Sequence, residues 1–337
     1  MTIRDIAKMA GVGKSTVSRV LSGSGCVNAE TRKRIEQVMA EHNYTPSAFA
    51  RSLSTNDTNT IGVVIPEINN PFFGEIISGI SVVADANNIT LIFCNTDNLL
   101  EKEYRALRML KEYRVKGLIF TTAFDECDAN ASKQTRDMLD DLGVPVVLVD
   151  RPIAGGGWDS VVFDNKRGSY EAVRALIQGG NRDIGIITGN AKSIVSKERL
   201  SGYIQALEEA HIPIHPERIY VGDSTTQTAY EITKNLIEKQ LLPEAMYVCN
   251  NLSSQGFIKA LFEEHIKLGK DICYVGFDPV PALDIVNIAV SHIERNAVEM
   301  GFTAMKMLLD CFQTNEWRTR EHIIPSKLVL NGTESRK

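Results

Sequence analysis

The chain opens with MTIRDIAKMAGVGKSTVSRVLS, residues 1–22, a pattern that predicts two short helices joined by a glycine turn. Thr2 is a good N-cap residue. The residues after it repeat apolar side chains at helical spacing: Ile3, Ile6, Ala7 and Ala10. Gly11 supplies the left-handed conformation that commonly ends a helix. A second helix is expected over about 14–22, with its apolar residues turned inward: Val17, Val20 and Leu21.

The outer face of the second helix is polar and basic. It carries Lys14, Ser15, Thr16, Ser18 and Arg19. Short polar and basic side chains at the start of a second helix suit the floor of the DNA major groove. A plain three-helix bundle explains the apolar spacing but not this outer face, so the pattern favours DNA binding.

The sequence TIRDIAKMAGVGKSTVSRVLSG resembles the DNA-binding headpiece of the lactose-repressor (LacI/GalR) family of bacterial regulators. The similarity continues through VNAETRKRIEQVMAEHNYTPSAFARSLS and TNTIGVVIPEINNPFFGEIISGI and covers essentially the whole chain. The resemblance implies an all-α helix-turn-helix headpiece followed by an α/β two-lobed, periplasmic-binding-protein-like core of doubly wound parallel sheets. It also implies a sequence-specific transcriptional regulator, a repressor, that acts as a homodimer on pseudo-palindromic operator DNA under the control of a small carbohydrate-derived effector.

The resemblance also implies a domain organisation. The chain divides into a headpiece at 1–46, a hinge helix and linker at 47–59, and an effector-binding and dimerisation core at 60–337. Each lobe of the core takes two segments: about 60–160 and 293–319 for the N-lobe, and about 162–288 and 325–337 for the C-lobe. Three crossings between the lobes are expected near 159–162, 288–293 and 319–325. Dimer contacts are expected on the helix over 72–87 and near 281–285.

The distribution of charge agrees with a DNA-binding end. The 337 residues carry a formal net charge of −5. Residues 1–55 hold eight basic and four acidic side chains, or +4, so the remainder carries −9. A basic end on an acidic body steers DNA toward that end. No apolar run approaches membrane-spanning length, no signal-peptide pattern is present, and the six cysteines form no CxxC pair, from which we expect a cytoplasmic protein with reduced thiols.

A third headpiece helix is expected from the N-cap Asn28 to about His42. Thr31 and Arg32 near its start are placed to reach phosphates, which position a protein on DNA without specifying sequence. The DNA contacts expected in the headpiece are therefore Thr2, Lys14, Ser15, Thr16, Ser18, Arg19, Asn28, Thr31 and Arg32.

The segment SAFARSLSTNDTN at 47–59 is the predicted hinge. One or two helical turns of this length are marginal alone in water. The resemblance implies that the hinge folds on operator DNA and that Leu53, flanked by Ala50 and Arg51, wedges into the minor groove. The alternative is an ordinary linker whose leucine packs on the core.

From residue 60 onward, short apolar strands alternate with amphipathic helices. The strand-like runs lie at 60–66, 90–95, 117–122, 144–150, 183–189, 244–250, 272–278 and 286–293. Strands without polar alternation, separated by helices, indicate parallel sheets that are covered on both faces. The number of such units favours two doubly wound lobes over one sheet.

Ligands of open parallel sheets bind beyond the carboxyl ends of the strands, and several predicted ends here carry polar or aromatic residues. The expected effector contacts are Asn69, Phe72, Phe73, Asp150, Arg151, Arg199, Asn251, Asp278 and Arg295. The two phenylalanines could stack on a sugar ring, or they could pack in the core at a helix start.

Two departures from the family pattern bear on the ligand. Asn251 stands where the family commonly has an aspartate, and Arg295-Asn296 stands where the family usually has a Gln-Pro pair. With Arg151 and Arg199 also in the predicted cleft, we expect a sugar acid or sugar phosphate over a neutral sugar or a purine, since the arginine fork matches carboxylate and phosphate. The alternatives are that Arg295 points to solvent and that the effector is a neutral sugar.

Enzymatic activity is not expected. The sequence contains no GxSxG, HExxH or GxxxxGK[ST] motif. His211 and His215 have the spacing of a helical metal pair, but Pro213 between them argues against a helix, and no metal or cofactor is expected. A secreted sugar-binding protein would explain 60–337 but not the headpiece.

Overall fold

The computed structural model describes residues 1–22, 26–44, 58–123, 129–314 and 319–336. The described part of the headpiece contains three helices: α1 Ile3–Met9, α2 Lys14–Ser22 and α3 Ala29–Glu41. Thr2 caps α1, and Asp5 completes a capping box with it. Gly11 adopts φ +65° in the turn, and Asn28 caps α3 by accepting a hydrogen bond from the N–H of Glu30. The buried cluster that joins the helices comprises Ile6, Ala7, Ala10, Val17, Val20 and Ile35. The predicted helix–turn–helix arrangement is confirmed.

The core alternates strands and helices along the chain. Its strands are β1 Thr60–Ile65, β2 Thr90–Asn95, β3 Gly117–Phe120, β4 Val146–Val149, β5 Asp159–Phe163, β6 Ile184–Thr188, β7 Ile219–Val221, β8 Ala245–Val248, β9 Cys273–Phe277, β10 His292–Arg295, β11 Glu321–Ile324 and β12 Ser326–Val329. Its α-helices are α4 Pro71–Ala86, α5 Leu100–Glu112, α6 Ala129–Leu142, α7 Asn165–Gln178, α8 Ile194–Glu209, α9 Thr226–Glu238, α10 Asn251–Glu263, α11 Pro281–Asp284 and α12 Ala297–Thr314. A short 3₁₀ helix, Pro216–Arg218, precedes β7.

Two six-stranded sheets form the two lobes. The strand order is β11-β5-β4-β3-β1-β2 in the N-lobe and β12-β10-β9-β8-β6-β7 in the C-lobe. Neighbouring strands are parallel except β10 and β12, which are antiparallel. Central strands such as β3, β4, β8 and β9 are buried along their whole length. The predicted pair of doubly wound sheets, covered on both faces, is therefore confirmed.

Two of the three crossings between the lobes lie a few residues beyond their predicted places, and the third lies at the end of its predicted range. They occur between β5 and α7, between β10 and α12, and between β11 and β12, at about 164, 296 and 325. Strands β5 and β11 belong to the N-lobe sheet, and β10 belongs to the C-lobe sheet, so the predicted lobe boundaries at 160, 293 and 319 need correction. Each crossing comes after the last residue of a strand instead of within the strand.

The strand predicted at 286–293 is wrong for most of its length. Residues 285–291 are not a strand, and β10 begins only at His292. The physical reason is visible at Ser291, whose N–H donates to Oγ1 of Thr333 at 2.8 Å instead of to a neighbouring strand. Strands β5, β7, β11 and β12 were not predicted either. Strands β5 and β11 fall where crossings between the lobes were expected, and β7 and β12 are short and partly exposed.

Two glycines allow the helices of the N-lobe to approach closely. A Cβ atom at Gly79 of α4 would overlap the carbonyl oxygen of Val298, and one at Gly301 of α12 would overlap the carbonyl oxygen of Ile76. Because the obstacles are backbone atoms, a larger side chain at either position forces the helices apart. This close packing fixes α4, whose N-terminus borders the cleft between the lobes. No helix in the described part of the chain is long and apolar enough to cross a membrane.

Candidate effector cleft and DNA-binding surface

A cavity of about 250 Å³ lies between the lobes, beyond the carboxyl ends of the strands of both sheets. Eight of the nine predicted effector contacts line it: Phe72, Phe73, Asp150, Arg151, Arg199, Asn251, Asp278 and Arg295. Asn69 does not line the cavity, because its side chain is exposed. Its neighbour Asn70 lines the cavity instead, since Asn70 is the N-cap of α4 and accepts a hydrogen bond from the N–H of Phe72 at 3.2 Å.

Asp150 and Asp278 occupy equivalent positions in the two lobes. Each follows a central strand and adopts a left-handed backbone conformation, with φ +66° at Asp150 and φ +73° at Asp278. The N–H of Asp150 donates to the carbonyl of Val161 on β5, and the N–H of Asp278 donates to the carbonyl of Ile293 on β10. Aspartate tolerates this conformation better than most residues do. The result is one carboxylate from each lobe, aimed into the same cleft.

Arg295 lies between these two carboxylates. Its Nε and Nη2 atoms donate to the two oxygens of Asp278, both at 2.6 Å, and its Nη1 lies 3.4 Å from Oδ1 of Asp150. The side chain does not point to solvent, since the residue is 7% exposed and its guanidinium lies 4.0 Å from the ring centroid of Phe72. Burial acts to lower the pKa of Arg295, but the two carboxylates outweigh burial and the pKa lies above its usual value. Arg295 therefore lines the cavity, and its positive charge is paired with the carboxylates of Asp278 and Asp150.

Arg199 differs from Arg295 in its partners. Its Nε and Nη2 atoms donate to Oδ1 of Asn165 at 3.0 and 2.9 Å, and its Nη1 donates to the carbonyl of Cys249. The guanidinium stacks 3.8 Å from the ring centroid of Phe277. Among the described residues, no carboxylate oxygen lies within 4 Å of its nitrogens. Burial, and next the positive charge of Arg295, lower the pKa of Arg199.

Arg151 also has mainly neutral partners. Its Nη1 donates to Oδ1 of Asn98 and to the carbonyl of Thr122, both at 2.9 Å, while its Nε lies 3.9 Å from Asp150. The side chain is about one quarter exposed on the N-lobe side of the cavity. Among the described residues that line the cavity, Arg151 and Arg199 are thus the two cationic groups whose close hydrogen-bond partners are uncharged.

Asn251 links the lobes directly. Its Nδ2 donates to Oδ1 of Asn70 at 3.0 Å across the cleft, and both residues are buried. An aspartate at position 251 could not make this bond, because an ionised carboxylate has no donor. The departure from the family pattern at this position therefore has a structural role in addition to any role in binding.

The two phenylalanines border the cavity but are mainly core residues. Phe72 is 7% exposed and Phe73 is 3% exposed, and both belong to the N-lobe cluster. Their rings meet edge to face at 5.1 Å, and Arg295 covers the ring of Phe72. The structure favours core packing over the alternative of an open wall for stacking on a sugar.

The DNA-binding residues predicted on α2 form a polar surface. Lys14, Ser15 and Arg19 are exposed, Thr16 and Ser18 are half-buried, and Val17 between them is fully buried. The other predicted contacts of the headpiece lie at or near helix starts: Thr2, Asn28, Thr31 and Arg32. The predicted hinge contacts lie outside the described residues: Ala50, Arg51 and Leu53.

Comparison with known proteins explains why these two sites occur in one chain. Residues 2–47 match the family described as bacterial regulatory proteins, lacI family, and residues 58–331 match the periplasmic binding proteins and sugar binding domain of the LacI family. The chain belongs to the LacI family. It is a DNA-binding transcriptional repressor of that family, whose regulators bind operator DNA as dimers under the control of small-molecule effectors.

Two relatives and one solved structure show how far the similarity of this LacI-family chain extends. It is 32% identical over 340 residues to the HTH-type transcriptional repressor PurR of Pasteurella multocida (strain Pm70), covering 99% of both chains. It is 32% identical over 330 residues to the HTH-type transcriptional regulator RegA of Clostridium saccharobutylicum, covering 97% of both chains. The lac repressor dimer bound to operator and the anti-inducer ONPF superposes with a TM-score of 0.85 at 25% identity, covering 99% of both chains.

Sequence reasoning missed one buried acid that supports the cleft of this LacI-family core. Glu103 on α5 accepts hydrogen bonds from Oγ1 of Thr135 and from the N–H of Ala123, both at 2.6 Å. It thereby holds the segment after β3, whose Thr122 carbonyl binds Arg151. Burial raises the pKa of Glu103. The sequence did contain a signal for its burial. Glu103 stands at a position that the helical spacing of Ala106, Leu107 and Leu110 assigns to the apolar, inward face of α5.

Cys249 is not an activated nucleophile in the cleft of this LacI-family protein. This residue lines the cavity, but its thiol is buried, and burial raises its pKa to about 12. A thiol with so high a pKa is protonated near neutral pH and is a poor nucleophile. Within the residues the structure describes, no group of three or more His, Cys, Asp or Glu side chains could hold a metal ion.

Proposed function

We propose that this LacI-family repressor binds a pseudo-palindromic operator as a homodimer in the bacterial cytoplasm, and that a small carbohydrate-derived effector binds in the cleft between its lobes. The effector class that we favour is a sugar acid or a sugar phosphate. The observation that carries this choice is Arg199, a buried guanidinium at the cavity without a carboxylate within salt-bridge distance among the described residues. A buried charge is costly unless it is paired, and an anionic ligand would supply the missing partner.

The described carboxylates in the cleft already have hydrogen-bond or ion-pair partners, which supports the choice of an anionic effector. Asp150 and Asp278 face Arg295. Glu67 accepts a hydrogen bond from Nδ2 of Asn70 at 3.2 Å. Asp223 accepts from Thr225 and Thr228 at the start of α9. Each described carboxylate that lines the cavity therefore has donors within the protein. Arg199, by contrast, uses three of the five N–H groups of an arginine and retains two.

The position of the cavity also explains how an effector could regulate DNA binding. The cavity is lined from both lobes, and the lobes are connected by three crossings and by the bond between Asn251 and Asn70. A ligand shifts a conformational equilibrium only if it binds one arrangement better than the other. A ligand that contacts both lobes meets that condition, and a change in their arrangement would reach the segment that precedes β1 and carries the headpiece.

A thermal-shift panel tests the effector class. We expect the melting temperature of the full chain to rise with sugar acids or sugar phosphates more than with the parent sugars, because a ligand that binds only the folded state stabilises it by about 2.7 kcal/mol at 100 times its Kd. The panel uses D-ribose, D-glucose and D-galactose, each beside its sugar acid and its terminal phosphate, at matched ionic strength. A larger rise with a parent sugar than with its acid and phosphate would support the neutral-sugar alternative instead.

The DNA-binding surface of α2 has its own test. We expect Arg19→Ala to weaken binding to the operator by roughly 5- to 150-fold, which corresponds to about 1–3 kcal/mol for a contact to a base edge. The measurement is fluorescence anisotropy with an operator selected from random DNA by the wild-type protein, beside a scrambled duplex. Lys33→Ala is the charge-matched control, since Lys33 is exposed and lies on α3 instead of α2. If Arg19→Ala weakened operator and scrambled DNA equally, as Lys33→Ala is expected to do, Arg19 would contact only phosphates.

A further inference from the structure

The side chain of Arg295 occupies the place where an effector would meet the acids of the cleft. Its fork covers both oxygens of Asp278 at 2.6 Å, and its third nitrogen reaches Asp150 of the other lobe at 3.4 Å. All three side chains line the cavity, and all three are less than 10% exposed. The two carboxylates that the fold aims into the cleft are thus already bound by a group of the protein.

This occupation changes what the cleft can recognise. Carboxylates are strong acceptors for the hydroxyl groups of a neutral sugar. A hydroxyl that approached Asp278 would have to compete with a buried, bidentate, charge-assisted pair, which is stronger than a neutral hydrogen bond. The described charged groups of the cleft that still offer donors toward a ligand are Arg151 and Arg199, whose close partners are uncharged.

We propose that Arg295 is the specificity-determining residue of the cleft. It withdraws Asp150 and Asp278 from the ligand, so that the site selects molecules that offer acceptors to Arg151 and Arg199 and disfavours molecules that depend on carboxylate acceptors for their hydroxyls. The inference rests on the proposed function, in that the effector binds between the lobes. It differs from the idea that Arg295 itself binds the anion, because here Arg295 acts by covering the acids.

The first test compares a matched pair of ligands on variants of position 295. The pair is D-glucose and D-glucuronate, which share a ring and differ by a carboxylate at C6, measured by isothermal titration calorimetry on the full chain. We expect Arg295→Gln to raise the affinity for glucose by about tenfold and to lower the affinity for glucuronate, because Asp150 and Asp278 become available to hydroxyls and repel the anion. The conservative variant Arg295→Lys keeps the positive charge and is expected to retain most of the preference for the acid. A ratio of the two affinities that is unchanged in Arg295→Gln would overturn the proposal.

The second test needs no ligand and asks whether Arg295 covers the two acids, so it can overturn the proposal even if neither sugar binds. In the wild-type background, Asp150→Asn is expected to lower the melting temperature, because it removes a partner of the buried guanidinium. In the Arg295→Gln background, the same substitution is expected to raise it, because it then removes one of two facing like charges. An effect of Asp150→Asn that is the same in both backgrounds would show that Arg295 does not cover the acids.

The two tests separate this inference from the proposed function. A panel in which no sugar, sugar acid or sugar phosphate stabilises the wild-type protein contradicts the proposed effector class. A reversal in the sign of the Asp150→Asn effect still supports the role of Arg295 in that case, because it reports on the acids alone.

Discussion

Replacing Ile35 by alanine is expected to abolish operator binding while leaving the effector core folded. Ile35 is fully buried and is the residue that α3 contributes to the buried part of the headpiece cluster. Removing a buried isoleucine side chain costs roughly 2–5 kcal/mol, whereas so small a domain rarely has more than about 3–5 kcal/mol of stability from a single core. The substitution therefore removes most of the stability of the headpiece. Fluorescence anisotropy with the selected operator at 25 °C should show a loss of affinity of about 100-fold or more.

The control for this prediction is Met9→Ala. Met9 lies on α1 and is 43% exposed, so its truncation should change operator affinity little. Melting of the core should be unchanged in both variants, because the four clusters of the core contain no headpiece residue. Operator affinity of Ile35→Ala within twofold of the wild type would mean that the headpiece has a larger reserve of stability than its small core implies.

The elements that sequence reasoning placed well are those with a strong local pattern. Each helix of the headpiece has apolar residues at helical spacing, among them the buried Ile6, Val17 and Ile35. Thr2 and Asn28 mark the starts of α1 and α3 as N-caps. The central strands of both sheets are short apolar runs, and burial on both faces is what makes such runs continuous. The short strands β7, β11 and β12 were missed, because they are three or four residues long and partly exposed. Strand β5 was missed although it is buried, because its residues were assigned to a crossing between the lobes.

One error at the site could have been avoided from the sequence. Asn70 stands directly before Pro71, and proline favours the first position of a helix. Asn70 is therefore expected as the N-cap, with its side chain turned to the helix start at the cleft and Asn69 left outside. The position of a cap determines which of two identical neighbouring residues lines the cavity.

The role of Arg295 could not be read from local pattern. Its partners lie 17 and 145 residues away in sequence, on different lobes. Only the assembled fold shows that Asp150 and Asp278 bind the same guanidinium. Each follows a strand of a different sheet and has a left-handed backbone conformation. From the sequence, an added arginine near the cleft indicated an added positive charge. In the structure, the carboxylates of Asp150 and Asp278 neutralise that charge, and Arg295 in turn covers these two hydrogen-bond acceptors.

The substitution Asp278→Asn is expected to lower the free energy of unfolding of the core by about 3–5 kcal/mol. It removes the negative charge from a buried pair and turns an amide donor toward the donors of Arg295, and breaking one partner of a buried ion pair has this order of cost. It also leaves two buried cations, Arg199 and Arg295, near one another with Asp150 as the remaining ion-pair partner among the described residues. Urea unfolding of the full chain, followed by circular dichroism, measures the loss.

Asp183→Asn is the matched control for Asp278→Asn, because the C-lobe contains the same bidentate pair at its surface. Arg218 donates to both oxygens of Asp183 at 2.7 and 2.6 Å, but the two side chains are 22% and 38% exposed. Exposed pairs contribute about 0–1 kcal/mol, since water solvates either partner when the other is removed. The geometry of the two pairs is nearly the same, so any excess loss in Asp278→Asn comes from burial and from the neighbouring charges. Equal losses in the two variants would show that water reaches Arg295 freely, and the cleft would then lack the closed charge network on which its proposed selectivity depends.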